Sequence, residues 1–113
     1  MDIINETMKA INEEKDIAQL NINKDEFLPK LDQRIQDEYE LNEDLYNEFG
    51  DINLVSKLNN KLSIFIYRDK EQDEKISVSI GAAGVRGWFD TEDEVVEFIN
   101  SNMADYYKEQ DEL

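Results

Sequence analysis

The stretch LSIFIYRDKEQDEKISVSIGAAGVRGWF, residues 62–89, decides how this chain folds. Leu62, Ile64 and Ile66 alternate with Ser63, Phe65 and Tyr67, and Ile76, Val78 and Ile80 alternate with Lys75, Ser77 and Ser79. Side chains along a strand point to opposite faces in turn, so each run has one aliphatic face to bury. The link 68–74 is highly charged and lacks a two-residue turn signal such as Asn-Gly, which predicts an antiparallel hairpin with a long, solvated loop. The run Gly81-Ala82-Ala83-Gly84 reads as a turn, Val85–Phe89 as a third strand, and Gly87 as a bulge or a point of close packing.

The second face of this sheet would carry Phe65, Tyr67, Arg86 and Trp88. Large aromatics commonly serve cores, so a helix covering them is the expectation. Left uncovered, aromatics with an arginine have the composition of a binding hot spot. Gly81, Gly84 and Gly87 fall three apart, which matches neither a P-loop nor a dinucleotide-binding fingerprint.

Working outward, residues 2 to about 20 read as an amphipathic helix, with Ile4, Met8, Ile11 and Ala18 on one face. A second helix is predicted from near Asp25 to Gly50. Pro29 is then confined to its start. Leu28, Leu31, Ile35, Tyr39, Tyr46 and Phe49 would form its apolar side. Asp37, Glu40, Asp44 and Glu48, spaced three, four and four, would form an acidic stripe roughly opposite. Like charges at such spacing repel by a few tenths of a kcal/mol per pair, and a face meant only for solubility would interleave lysines. Ile52–Ser56 reads as a short edge strand, and Asn59-Asn60 as a turn. Thr91-Glu92-Asp93-Glu94 is a capping box that opens a C-terminal helix through Val95, Ile99, Met103 and Tyr106, fraying into an acidic tail from about residue 108. The expectation is one α+β domain over residues 1–113: two N-terminal helices, a three- to four-stranded antiparallel meander, and a C-terminal helix, with the helices on one face of the sheet.

Charge sets the limits on function. The chain has 28 acids, 12 bases, no histidine and no cysteine, for a net charge of −16. Residues 37–51 hold seven acids and no base, and residues 90–113 hold nine acids and one base, Lys108. Free DNA or RNA and anionic membranes are poor ligands for such a surface. Without His or Cys, Ser-His-Asp and Cys-His catalysis and the common zinc sites are excluded. Counting an EF-loop back from Gly50 or Gly81 puts Leu45 or Ile76 where an Asp is needed. Carboxylate pairs could serve glycoside or phosphoryl chemistry, but among 28 acids no pair stands out. A non-enzymatic protein without cofactor or metal is therefore expected. The chain start has neither a basic segment nor an apolar signal core, and a cytoplasmic location is the expectation.

In small size, lack of Cys and His, and segregated carboxylates, the chain resembles small acidic phage-encoded inhibitors, the anti-CRISPR and anti-restriction proteins that mimic DNA. That resemblance implies a partner that is a nucleic-acid enzyme with a basic channel. An immunity protein or antitoxin covering a basic toxin nuclease is a second class, and a housekeeping domain whose acidity serves solubility is a third. The partner-binding candidates are Asp37, Glu40, Asp44, Glu48 and Asp51, together with Phe65, Tyr67, Arg86 and Trp88. Self-repulsion among the acids also predicts that added monovalent salt raises the melting temperature. A melting temperature that falls steadily from low to moderate salt would contradict this.

Overall fold

The computed structural model describes residues 19–113. The expected first helix lies outside the described residues, apart from Gln19 and Leu20, which are irregular. The chain then forms α1 (Lys24–Phe27), a 3-10 turn (Leu28–Lys30), α2 (Gln33–Glu38), β1 (Tyr39–Leu41) and α3 (Glu43–Phe49). β2 (Ile52–Ser56), β3 (Ser63–Asp69), β4 (Lys75–Ile80), β5 (Val85–Phe89) and α4 (Glu92–Glu112) follow. The five strands make one antiparallel meander in the order β1-β2-β3-β4-β5. The fold is α+β.

The central stretch folds as its alternation requires. Ile66 faces Ile52 and Val78, and Ile64 faces Leu54 and Ile80, so the centre of one face of the sheet is aliphatic. Phe27, Leu31 and Ile35 cover it from the N-terminal helical segments, and Val95, Ile99, Met103 and Tyr107 from α4. Those α4 residues recur every fourth position, which places them on one stripe of the helix. Gly84 takes the left-handed conformation, φ 66°, that closes the 81–84 turn. Gly87 is a packing glycine: a Cβ there would lie 2.7 Å from Phe89 Cζ and 3.4 Å from Phe98 Cε1. The β3–β4 loop is shorter than expected, residues 70–74, because Asp69 and Lys75 still pair. Asp73 and Glu74 take left-handed backbone there, φ 55° and 59°.

Residues 25–50 depart from expectation. They do not form one helix. Leu31 and Asp32 turn extended, with ψ 151° and 145°, and end the first helical segment two residues after Pro29. Tyr39, Glu40 and Leu41 then alternate buried, exposed and half-buried, and pair with β2. Pairing satisfies backbone groups on β2 that a helix would have left open: Lys57 N–H donates to Glu38 O at 2.8 Å, and Asn42 N–H to Asn53 O at 2.8 Å. β2 is thus an interior strand, not an edge. α3 starts anew where the Asn42 side chain accepts from Leu45 N–H at 3.2 Å, and it ends at left-handed Gly50, φ 79°.

The expected acidic tail is helical to Glu112. Arg34 on α2 donates to both carboxylate oxygens of Asp111, at 3.0 and 3.3 Å, and to Glu38 at 2.9 Å. Its guanidinium also lies 3.9 Å from the centre of the Tyr107 ring. The hydrogen bonds to Asp111 and Glu38 push the Arg34 pKa further up. Exposed ion pairs add little stability, so the stacking and the buried Tyr107 ring hold this end of α4 more than the charges do. Burial, with Glu38 and Tyr39 nearby, pushes the Tyr107 phenol well above its ordinary pKa.

The two faces of the sheet should respond differently to truncation. Ile66→Ala is expected to cost about 2–5 kcal/mol in urea unfolding. Phe65→Ala, one residue away on the other face, should cost about 1 kcal/mol, the scale of a single aromatic pair. Equal losses would mean that both faces are cores.

Candidate interaction surface

Strand parity sends Phe65, Tyr67 and Asp69 of β3, Lys75, Ser77 and Ser79 of β4, and Arg86 and Trp88 of β5 to the face away from the aliphatic core. Glu40, Asn53 and Val55 continue this face towards β1. Among the described residues no helix of the fold is packed on it; the covering helix expected from the sequence is not among them. Trp88 is 40% exposed and Arg86 is exposed, while Phe65 and Tyr67 are half-buried.

Four of the sequence-predicted residues meet in one patch. Tyr67, Ser77 and Trp88 lie side by side across three strands, as do Phe65, Ser79 and Arg86. The Phe65 and Tyr67 rings are 5.2 Å apart, and the Arg86 guanidinium lies 5.1 Å from the Trp88 ring centre and 5.9 Å from that of Tyr67. Arg86 donates to the Tyr67 hydroxyl and, at 3.4 Å, to Ser77 Oγ. Two members were missed from the sequence. Asp69 accepts from Trp88 Nε1 at 3.1 Å and stands 3.9 Å from the Arg86 guanidinium. Ser77 is fully buried beneath the arginine. Ser77 faces Tyr67 by strand parity, a signal the sequence offers; Asp69 joins the patch because β3 runs two residues further than its alternation predicts. The result is a patch with apolar rings whose polar ends are already bonded to one another.

The acidic candidates fall elsewhere, and not on one helix face. Asp37 is on α2, Glu40 on β1, Asp44 and Glu48 on α3, and Asp51 in the link to β2. These are consecutive short elements and the link after them, and β1 among them is an edge strand of the sheet. Asp37, Glu40, Asp44 and Glu48 are exposed, and among the described residues none of them forms an ion pair. Glu38 pairs with Arg34 at 2.9 Å and Glu43 with Lys24 at 3.7 Å, so neighbouring segments neutralise part of the cluster. With ~4.8 Å between strands, the acidic edge and β5 lie roughly 19 Å apart.

A wide, open groove of about 480 Å³ runs past Glu40, Asn42, Glu43, Val55 and Lys57. An apolar cleft of about 150 Å³ lies between Leu28, Leu31, Ile35, Tyr39 and Leu54 beside the acidic edge. Among the described residues no group of Asp and Glu side chains is arranged to hold a metal ion. No described helix is long and apolar enough to cross a membrane. No protein family, no curated protein and no solved structure matches the chain. Its surfaces are therefore read from their own geometry and charge.

Asp51, in the link between α3 and β2, gives an electrostatic check on its own burial. Partial burial raises its carboxyl pKa above the ordinary value. The folded chain therefore holds this proton more tightly than the unfolded chain does. Its contribution to stability is fully present at low pH and is lost as pH rises from the unfolded to the folded pKa. Above that window the ionised carboxylate opposes folding. Asp51→Asn is expected to raise the melting temperature at neutral pH, and the gain should shrink below pH ~4, where both forms are neutral. A variant that melts lower than the parent at neutral pH would rule this out.

Proposed function

We propose that this chain is a non-enzymatic binding protein whose acidic β1 edge docks on a basic surface of a partner protein. The partner is a nucleic-acid enzyme, and the carboxylates occupy the channel that would otherwise take DNA or RNA phosphates. One observation carries this reading. Asp37, Glu40, Asp44 and Glu48 are all exposed, on three consecutive short elements that include the edge strand β1, inside a segment of seven acids and no base. Asp44 and Glu48 stand one turn apart on α3, where like charges repel, and no lysine is interleaved in the segment, so the arrangement favours a role outside the fold. A basic partner supplies the missing counter-charge and gains association rate through long-range attraction.

The acidic residues suit this role because the fold does not depend on them. None of the four is buried, and the core beneath is built from Leu31, Ile35, Tyr39, Ile52 and Leu54. The Asp37 carboxylate accepts from Gln33 Nε2 at 2.8 Å, one turn back on α2, which Asn can replace.

The test combines Asp37→Asn, Glu40→Gln, Asp44→Asn and Glu48→Gln in one protein. The partner is identified by pull-down from the host. Binding of the parent and the variant is then measured at two salt concentrations with duplex DNA as competitor. The variant should keep its fold and lose association rate by about tenfold or more at low salt. Its dissociation rate should change less, its salt dependence should flatten, and it should compete more weakly with DNA. A partner that is a toxin nuclease would assign the immunity-protein role to the same edge. Unchanged affinity and salt slope would sink the proposal and leave acidity as a matter of solubility.

A further inference from the structure

The opposite edge of the sheet carries different information. Gly81 N–H donates to Ser63 O at 2.9 Å, which fixes the phase of the β3–β4 ladder. Hydrogen-bonded and non-hydrogen-bonded pairs alternate along antiparallel strands. Ser79, Ser77 and Lys75 therefore bond towards β3, and Ile80, Val78 and Ile76 bond towards β5. Their partners on β5 are Val85, Gly87 and Phe89. Arg86 and Trp88 are left with both backbone N–H and C=O directed outward. Among the described residues, neither backbone accepts or donates a bond on that side.

From this we infer that β5 is a self-pairing edge, and that its partner is β5 of a second copy of this chain in antiparallel register about Gly87. The register is dictated by the outward groups. Placing Gly87 on the two-fold axis sets Arg86 opposite Trp88 of the second copy, and Trp88 opposite its Arg86. Both residues are outward on both strands, so the two pairs exchange four backbone hydrogen bonds. A register shifted by one residue would set outward groups against inward ones. The side chains are also complementary. On the open face each arginine meets a tryptophan, which favours cation–π contact. On the core side Val85 meets Phe89. Beyond the strand, Asp90 meets Gly84, so no like charges face one another.

Charge placement favours this edge over β1. Lys75 and Arg86 belong to this side of the sheet, where they pair with Asp90 at 3.8 Å and Asp69 at 3.9 Å. Pairing through β5 makes a ten-stranded sheet from two five-stranded ones. The two acidic β1 edges then stand roughly 43 Å apart at ~4.8 Å per strand, several Debye lengths at ~0.15 M ionic strength. Pairing through β1 would bring Glu40 against Glu40. The contact spans five residues a side, so it should be a concentration-dependent dimer rather than a permanent one.

The experiment is sedimentation equilibrium of the whole chain over a concentration series at moderate salt, with amide hydrogen exchange measured by NMR at both ends of the series. The expected result is a mass rising towards twice that of the chain. Protection of the Arg86 and Trp88 amides should rise by about tenfold or more with concentration. The Leu41 amide, outward on β1, should show no such rise. Arg86→Pro removes an outward N–H that no described residue of the monomer uses, a replacement that edge strands tolerate. It should give a folded monomer at every concentration. The inference is overturned by a parent that stays monomeric throughout. A dimer whose Arg86 and Trp88 amides remain unprotected would overturn it too, as would a dimer that survives Arg86→Pro. If Arg86→Pro does not fold, the exchange pattern of the parent decides alone.

Discussion

Everything in this fold depends on burying one aliphatic face whose residues recur at every second position. Ile64, Ile66, Ile76, Val78 and Ile80 are all within 3% of full burial, and α4 is long enough to cover them. Each such side chain contributes roughly 1.5–3 kcal/mol when withdrawn from water. A slip of one residue in any pairing would move a strand's whole aliphatic set to the other face. Register is thereby fixed, and with it the composition of the opposite face. The aromatic–arginine patch is a consequence of the core: once Ile64 and Ile66 point inward, Phe65 and Tyr67 must point outward beside Ser77, Ser79, Arg86 and Trp88.

That dependence explains what could be read from the sequence. Strands β3, β4 and β5 and the turn at 81–84 follow from parity and glycine alone. α4 follows from the four-residue recurrence of Val95, Ile99 and Met103 behind a capping box whose two reciprocal bonds are both made. Residues 25–50 misled because Leu31, Ile35, Tyr39 and Tyr46 satisfy a 3.6-residue period while serving three separate elements. What breaks the helix is not local. β2 had backbone groups without partners, and pairing with Tyr39, Glu40 and Leu41 satisfied them. A tertiary hydrogen-bonding requirement thus overrode helical propensity, as it commonly does for short segments. Asn42 as a cap and the apolar–charged–apolar alternation of Tyr39, Glu40 and Leu41 were the available signals. At the patch, Phe65, Tyr67, Arg86 and Trp88 are legible from parity, whereas the charge of the 68–74 link assigns Asp69 to a loop and Ser77 reads as an ordinary polar strand residue.

The ion pairs do not hold the protein together. Those on its surface, Lys30–Glu92 at 2.6 Å and Arg34–Asp111 at 3.0 Å among them, join side chains that are exposed or half-exposed. Such pairs contribute about 0–1 kcal/mol each. The first turn of α4 uses Glu92, Asp93 and Glu94 favourably, since acids complement the positive end of a helix. The acids between Asp37 and Asp51 have less structural use. They persist on an edge where the fold gives them few counter-ions. The chain therefore separates its acids by purpose: those at the start of α4 stabilise a helix, and those along β1 only charge a surface.

The sheet acquires direction from this separation. Its β1 edge is short, acidic and closed to self-association by Glu40. Its β5 edge carries arginine, tryptophan and glycine, with backbone groups directed outward at two positions. Between them lies a face whose polar atoms already satisfy one another: Arg86 is held by Tyr67, Ser77 and Asp69, and Trp88 by Asp69. Side chains fixed in this way lose little conformational freedom when a surface closes over them, which lowers the entropic cost of contact. The two edges are separated by roughly 19 Å, more than twice the Debye length of ~8 Å at physiological ionic strength. Neutralising charge at β1 should therefore leave pairing at β5 almost untouched, and the fold can carry an electrostatic contact and a backbone contact without either weakening the other.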